Sequence, residues 1–176
     1  MTARLSYAGK RVILTGAASE VGVATTAVLV DLGAEVHAVD VQKPVASGLA
    51  SFTECDVCDS AQLDRAVDRI GRVVNMVFAC AGLPRDALLP FVDAVVPKLL
   101  EHADSAITCV AVAADASVLA NAAAGLQPTA IRVNGVALDG FDVEAVANAL
   151  VLLGSPRAGR VTGTCLVAAA VLPRAD

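Results

Sequence analysis

The chain has 176 residues, of which 56% are hydrophobic and 3% aromatic, and its formal net charge is −5. This length suits one domain with a core large enough to fold alone, so we expect residues 1–176 to form a single domain. A negative charge without a basic cluster argues against nucleic-acid binding, which needs a positively charged footprint.

The chain offers no pattern typical of a membrane protein. Its longest weakly polar stretch, residues 106–131, contains Asp115, Asn121 and Gln127. It therefore reads as a buried strand and a helix, not as a membrane span. Residues 1–11 lack the apolar segment of a signal peptide. We accordingly expect a cytoplasmic protein with reduced thiols and no membrane partner.

Short apolar runs alternate with helical patterns along the whole chain. Strands are predicted at 11–14, 35–40, 51–55, 73–80, 106–113, 129–137 and 161–168. Helices are predicted at 20–32, after a cap at Asp59 or Ser60, at 86–102, in an alanine-rich segment ending near Gly125, and at 143–153. This order predicts an α/β fold, a Rossmann-like doubly wound parallel sheet of about seven strands with helices on both faces.

A glycine-rich turn joins the first predicted strand to the first helix, and it reads T-G-A-A-S-E-V-G over residues 15–22. Glycines permit a tight turn and a close approach of backbone amides to a diphosphate. The helix N-terminus adds free N–H groups and a partial positive charge. Asp40 ends the second strand about twenty residues later, where an acid binds ribose hydroxyls. The pattern predicts a dinucleotide site.

Two of the five cysteines, Cys55 and Cys58, form a C-x-x-C pattern, which occurs in redox pairs and metal sites. No second pair follows, and His37 and His102 complete no ligand pattern. We predict that the cysteines fill strand ends and core gaps, with redox or metal chemistry as the alternative. No metal site is predicted.

Several motifs resemble, in chain order, the short-chain dehydrogenase/reductase family. They are the turn at 15–22, D-V at 56–57, A-C-A-G at 79–82, I-R-V-N at 131–134 and V-T-G at 161–163. The resemblance implies NAD as cofactor, because Asp40 resembles the acid that selects NAD over NADP. It also implies a set of cofactor-binding residues: Gly16, Ser19, Gly22, Asp40, Asp56, Val57 and Gly82.

The same alignment shows what the chain lacks. The family uses a Tyr-x-x-x-Lys pair and a serine, but the one tyrosine here is Tyr7, before the first strand, and Ala111 stands at the serine position. Both asparagines of the family's N-N-A-G motif are replaced at 79–80. The resemblance thus implies a shortened, degenerate member with no assignable catalytic residue.

Glu20 occupies the middle glycine position of the family turn. It adds bulk and a negative charge where the diphosphate would lie, which weakens the expected NAD binding. The alternative interpretation is that Glu20 begins the helix, where a carboxylate interacts favourably with the helix dipole.

The leading functional hypothesis is a non-catalytic subunit or scaffold that associates with itself or with a full-length relative. Two groups of apolar positions are candidates for that contact, unless they cover their own sheet. They are Phe91, Val95 and Leu99, and Val146 and Leu150 onward.

Two alternatives stay open. One is an NAD-dependent oxidoreductase, acting on carbonyls or alcohols, whose site is atypical or completed by a partner, with Asp115 and Ser117 as candidate groups. The other is a sensor that binds NAD without reacting.

Overall fold

The computed structural model describes residues 5–71, 74–80, 82–99, 105–111, 116–127, 129–139 and 142–169. Its strands are β1 (Arg11–Thr15), β2 (Glu35–Asp40), β3 (Ser51–Glu54), β4 (Met76–Ala79), β5 (Ala106–Ala111), β6 (Arg132–Asp139) and β7 (Cys165–Ala169). Its α-helices are α1 (Glu20–Asp31), α2 (Ser60–Ile70), α3 (Arg85–Leu99), α4 (Ala116–Gly125) and α5 (Val143–Gly154), followed by a short 3-10 turn at Pro156–Ala158.

The strands form one sheet in the order β3-β2-β1-β4-β5-β6-β7, with every neighbouring pair parallel. The strand order reverses between β1 and β4. In open sheets of this kind, ligands bind outside the carboxyl ends of the strands at such a switch point. The predicted Rossmann-like, doubly wound sheet is confirmed.

Two buried clusters cover the two faces of the sheet. One face packs against α1 and α5 through side chains that include Leu29, Phe78 and Leu150. The other packs against α2, α3 and α4 through side chains that include Leu63 and Phe91. Both faces of the sheet are thus covered, which explains why its strands read as continuous apolar runs.

Three strands begin later than predicted. The ladder of β4 begins at Met76, because the side-chain oxygen of Asn75 accepts the N–H of Arg11 at 2.8 Å beside it. The predicted start of β6 at residue 129 is a turn, and the strand begins at Arg132. The predicted ends of β5 at 112–113 and of the third helix at 100–102 lie outside the described residues.

The start of β7 moves from residue 161 to Cys165 because the preceding segment docks on β6 as a loop. The side-chain oxygen of Thr162 accepts the N–H of Val133 at 3.0 Å. Gly163 donates its N–H to the Val133 carbonyl at 2.7 Å, from a φ of +70°. That left-handed conformation favours glycine and is incompatible with an extended strand.

The apolar positions proposed for subunit contact are mostly wrong. The side chains of Phe91, Val95 and Leu99 are buried against their own sheet, and so are those of Val146 and Leu150. Leu152, which the predicted positions from Leu150 onward include, is exposed, and so are Leu166 and Val167. None of the helices in the described ranges is long and apolar enough to cross a membrane.

Candidate functional site

The glycine-rich turn is held closed by Ser19, the N-cap of α1. Its hydroxyl donates to the Gly16 carbonyl at 2.7 Å and accepts the N–H of Gly22 at 2.9 Å. Gly16 has a φ of +68°, and a Cβ on Gly22 would lie 2.1 Å from the Gly16 oxygen. Both glycines are therefore required by the backbone itself, whatever the turn binds.

The carboxylate of Asp40 lies beside this turn. One of its oxygens accepts the N–H of Ala18 at 2.9 Å, and the other accepts the N–H of Gln42 at 3.0 Å. These bonds fix the side chain at the carboxyl end of β2. A carboxylate has about four acceptor positions, so Asp40 still has positions for the hydroxyls of a ligand.

A cleft of about 200 Å³ opens at the carboxyl ends of β1 to β4, where the strand order reverses. Its lining residues are Gly16, Asp40, Val41, Cys55, Asp56, Val57, Cys58, Gly82, Leu83 and Pro84. The structure thus brings together five of the seven predicted cofactor residues. The other two, Ser19 and Gly22, shape the turn from behind the cleft.

A second pocket, of about 310 Å³, adjoins the cleft between the starts of α2 and α3. It shares Val57, Cys58 and Pro84 with the cleft. Its remaining lining residues are Ser60, Leu63, Asp86, Ala87, Pro90 and Phe91. Sequence reasoning did not find this pocket, because its walls come from two helices whose packing no local motif specifies.

Glu20 is the first residue of α1, and its side chain is exposed. This position agrees with the interpretation that it begins the helix, where a carboxylate meets the positive end of the dipole. The same position leaves a negative charge at the helix N-terminus that opens towards the switch point.

The C-x-x-C pair falls into two environments. Cys55 is buried in the core, and burial raises the pKa of its thiol. Cys58 is exposed, so the prediction that the cysteines fill core gaps is wrong for it; its N–H donates to a carboxylate oxygen of Asp56 at 2.9 Å. Among the described residues, no three His, Cys, Asp or Glu side chains are grouped to hold a metal ion.

Tyr7 is a core residue. Its side chain is fully buried, its hydroxyl donates to the Val151 carbonyl at 2.5 Å, and its ring packs on Phe78 with centroids 6.3 Å apart. Burial raises the pKa of Tyr7. It precedes β1 and so lies at the amino end of the sheet, opposite the cleft.

The other groups considered for catalysis form no reactive set. Lys98 pairs with Asp68 at 2.7 Å on the outside of α2 and α3. Ala111 ends β5, and Ser117 is exposed in the first turn of α4. Asp115 lies outside the described residues.

The I-R-V-N motif has structural roles. The Arg132 guanidinium donates to the carbonyls of Leu153, Gly154 and Ser155 at 2.6, 3.1 and 2.8 Å, which closes the C-terminus of α5. Asn134 donates to the Val161 carbonyl at 2.9 Å and accepts the N–H of Thr164 at 3.2 Å. The motif thus anchors α5 and the loop before β7.

Comparison with known proteins agrees with this geometry. Residues 12–91, somewhat less than half of the chain, match the NAD dependent epimerase/dehydratase family. The match runs from β1 into α3 and so includes the whole cleft.

Solved short-chain oxidoreductases share the fold. An NADPH-bound short chain oxidoreductase from Pseudomonas aeruginosa PAO1, described as containing an atypical catalytic center, has a TM-score of 0.84 at 18% identity, with 98% of this chain and 100% of that one covered. The ligand-free aldohexose dehydrogenase of Thermoplasma acidophilum has a TM-score of 0.81 at 20% identity, with 94% and 95% covered. A hydroxysteroid dehydrogenase from Escherichia coli has a TM-score of 0.81 at 20% identity, with 93% and 97% covered. The resemblance to short-chain dehydrogenases/reductases is confirmed, and the chain has their fold.

Proposed function

We propose that this chain is a single-domain, non-catalytic protein of the short-chain dehydrogenase type, which binds a nucleotide in the cleft and acts through association. The observation that carries the proposal is the location of its one tyrosine. Tyr7 is buried at the amino end of the sheet, where its hydroxyl bonds to α5. A buried phenol whose proton is held by a backbone carbonyl has no access to a substrate at the opposite end of the sheet.

The cleft fits the adenosine end of a nicotinamide dinucleotide. Asp40 supplies fixed acceptor oxygens for ribose hydroxyls, and Asp56 and Val57 lie on the far side of the same space. Gly82 leaves open space, because an added Cβ there would meet nothing within 4 Å. The diphosphate end fits less well, because Glu20 begins α1.

The proposed preference is NAD over NADP. The 2′-phosphate of NADP would lie beside the Asp40 carboxylate, and like charges repel at such a distance. When bound, the nicotinamide would supply hydride chemistry. This chain's own residues hold the adenosine end, and within the described part of the chain we assign no acid or base at the carboxyl end of β5.

Calorimetric titration tests the cleft. Asp40→Asn keeps the size of the side chain but removes its charge, and we expect it to weaken adenosine nucleotides about tenfold, as for the loss of a charged hydrogen bond. The exposed Asp64 on α2 offers a charge-matched control, Asp64→Asn, which should bind as the wild type does. Equal affinities for both variants would refute the proposed site.

Activity assays test the absence of catalysis. The purified chain should show no turnover of NAD or NADH with a panel of alcohols and carbonyls, and this should hold at any pH at which it stays folded. Cofactor-dependent turnover by the chain alone would overturn the proposal.

We further propose self-association, in the cytoplasm, through α5 and the outer edge of β7. Leu152 is 50% exposed, Leu166 39% and Val167 55%, and β7 is the last strand of the described sheet. Apolar side chains on an exposed edge favour pairing with another chain. Light scattering should show a dimer that Val167→Lys dissociates. A monomeric wild type would refute self-association. If that monomer bound an intact relative, the association partner would be the relative and not a second copy of this chain.

One observation favours a second candidate, a true oxidoreductase with an unusual site. The Pseudomonas aeruginosa structure of similar fold is described as containing an atypical catalytic center. Under this candidate, Ser117 at the start of α4 and Asp115 before it would take part. Turnover that is lost in Ser117→Ala and absent from the controls would support it.

A further inference from the structure

Several N–H groups of the glycine-rich turn are used within the chain. Ala18 donates to Asp40, Gly22 donates to the Ser19 hydroxyl, and Ser19 donates to the Gly16 carbonyl at 3.1 Å. A diphosphate is held at a helix N-terminus by N–H groups that have no other partner. Three donors of this turn therefore have partners before any phosphate arrives. The N–H groups that remain for an anion at the start of α1 are those of Glu20 and Val21, where Glu20 also carries its own carboxylate.

The charge around the cleft also disfavours phosphate. Its lining includes the carboxylates of Asp40 and Asp56, and the lining residues that the structure describes include no lysine or arginine. Glu20 adds a third carboxylate at the start of α1. A site that binds a diphosphate ordinarily surrounds it with hydrogen-bond donors and positive charge. The charged groups described around this cleft are instead negative, so they repel a diphosphate.

The open space continues away from the turn. From Val57, Cys58 and Pro84 the cleft joins the larger pocket, whose far wall includes Leu63 and Phe91. The end near Asp40 suits ribose hydroxyls, so the base of a nucleoside lies towards Val57. A substituent on that base would enter the apolar pocket between α2 and α3.

We propose that the cleft takes a phosphate-free nucleoside of the adenosine type whose base carries an apolar group, in preference to an intact dinucleotide. The inference rests on the proposed function of the cleft and narrows its preferred ligand, with ADP and NAD as weaker ligands of the same site. Asp40 accepts from the ribose, Asp56 faces the polar edge of the base, and the pocket beside Ala87 and Phe91 holds the apolar group.

Calorimetry with four compounds tests this ligand class: adenosine, N6-benzyladenosine, ADP and NAD. We expect N6-benzyladenosine to bind about tenfold more tightly than adenosine, because its ring leaves water for an apolar pocket. Adenosine should bind at least as tightly as ADP and NAD. Equal affinities of the two adenosines, or tighter binding of ADP or NAD than of adenosine, would overturn the inference. Absence of heat with all four compounds would instead refute the proposed function of the cleft.

Two variants test the pocket between α2 and α3 and the charge of Glu20 separately. Ala87→Phe fills the pocket, so it should remove the tenfold advantage of N6-benzyladenosine while adenosine binding, which reports an intact fold, stays unchanged. Glu20→Gln should strengthen ADP and NAD about three- to tenfold without changing adenosine, since only the phosphates meet that charge. An unchanged preference for N6-benzyladenosine in Ala87→Phe, or unchanged ADP and NAD affinities in Glu20→Gln, would contradict the placement.

Discussion

Gly22→Ala should destabilise the chain and impair the cleft together, because the turn and α1 touch at this residue. The added Cβ would lie 2.1 Å from the Gly16 oxygen and 2.9 Å from the Ala17 Cα, whereas ordinary contact begins at 3.4 Å. Both atoms belong to the backbone, so no side chain can rotate away. Relief requires α1 and the turn to separate by roughly 1 Å, and overpacking of this kind costs about 1–3 kcal/mol.

Urea unfolding monitored by circular dichroism measures this cost. A loss of about 2 kcal/mol corresponds to a fall of about 4–8 °C in Tm for a chain of this size. The displacement also moves Ala18 away from Asp40, which breaks a 2.9 Å hydrogen bond, so nucleoside affinity should fall in the same variant.

Two other glycines provide matched controls. Gly125 ends α4, and Gly82 lines the cleft; an added Cβ at either position meets nothing within 4 Å. Gly125→Ala should stabilise α4 by roughly 0.5–1 kcal/mol, because alanine has the higher helix propensity. Gly22→Ala unfolding at the same urea concentration as Gly125→Ala, or binding nucleosides as the wild type does, would refute the steric role assigned to Gly22.

Three further predictions concern groups outside the cleft. Tyr7→Phe removes the hydroxyl donor from the buried Val151 carbonyl, which still accepts the N–H of Ser155 at 3.1 Å, so the unfolding free energy should fall by about 0.5–1.5 kcal/mol while ligand affinity in calorimetry stays unchanged. Arg132→Met removes three hydrogen bonds to the end of α5 and should lower the unfolding free energy measured with urea by about 2–4 kcal/mol. A loss below 1 kcal/mol would show that the end of α5 is stable without the Arg132 guanidinium. Burial lowers the pKa of His37 from 6.5, so the unfolded chain takes up its proton first as the pH falls. Stability should therefore decline as the pH drops below about 6.5, and His37→Gln should flatten unfolding free energies measured between pH 7 and 5.

The sequence predicted the fold well because the order of elements is a local property. Apolar runs and caps placed the helices: α1 begins at Glu20 as expected, and Asp59 caps α2 by accepting the N–H of Gln62 at 3.1 Å. The errors occur where tertiary bonds override propensity. The segment before β7 reads as strand because of its valine and threonine, but its side chains and Gly163 bond to β6 instead.

The candidate site was predictable only where motifs specify it. Asp40 ends a strand, and Gly16, Asp56 and Gly82 each follow one, so the parallel topology brings all four to one edge of the sheet. The pocket between α2 and α3 had no such signal. The sequence left open whether Phe91 covers its own sheet or contacts another subunit, because an apolar residue on a helix has the same pattern in both cases; the structure buries Phe91 and makes it a wall of that pocket.

Several residues of the motifs that suggested an enzyme have structural roles in the fold. Gly22 permits α1 to touch the turn, Arg132 closes α5, and Asn134 holds the loop before β7. Loss of any of these would threaten folding, whereas loss of a tyrosine at a catalytic position would remove only a reaction. A chain that no longer catalyses a reaction would therefore still need these motif residues and would be free to lose the catalytic ones. Asp40 is different: its bonds to Ala18 and Gln42 hold only the rim of the cleft. The Asp40→Asn variant therefore distinguishes a retained ligand site from a retained scaffold. In a ligand site the substitution lowers the ligand affinity, whereas in a scaffold that binds no ligand it changes the unfolding free energy little and there is no affinity to lose.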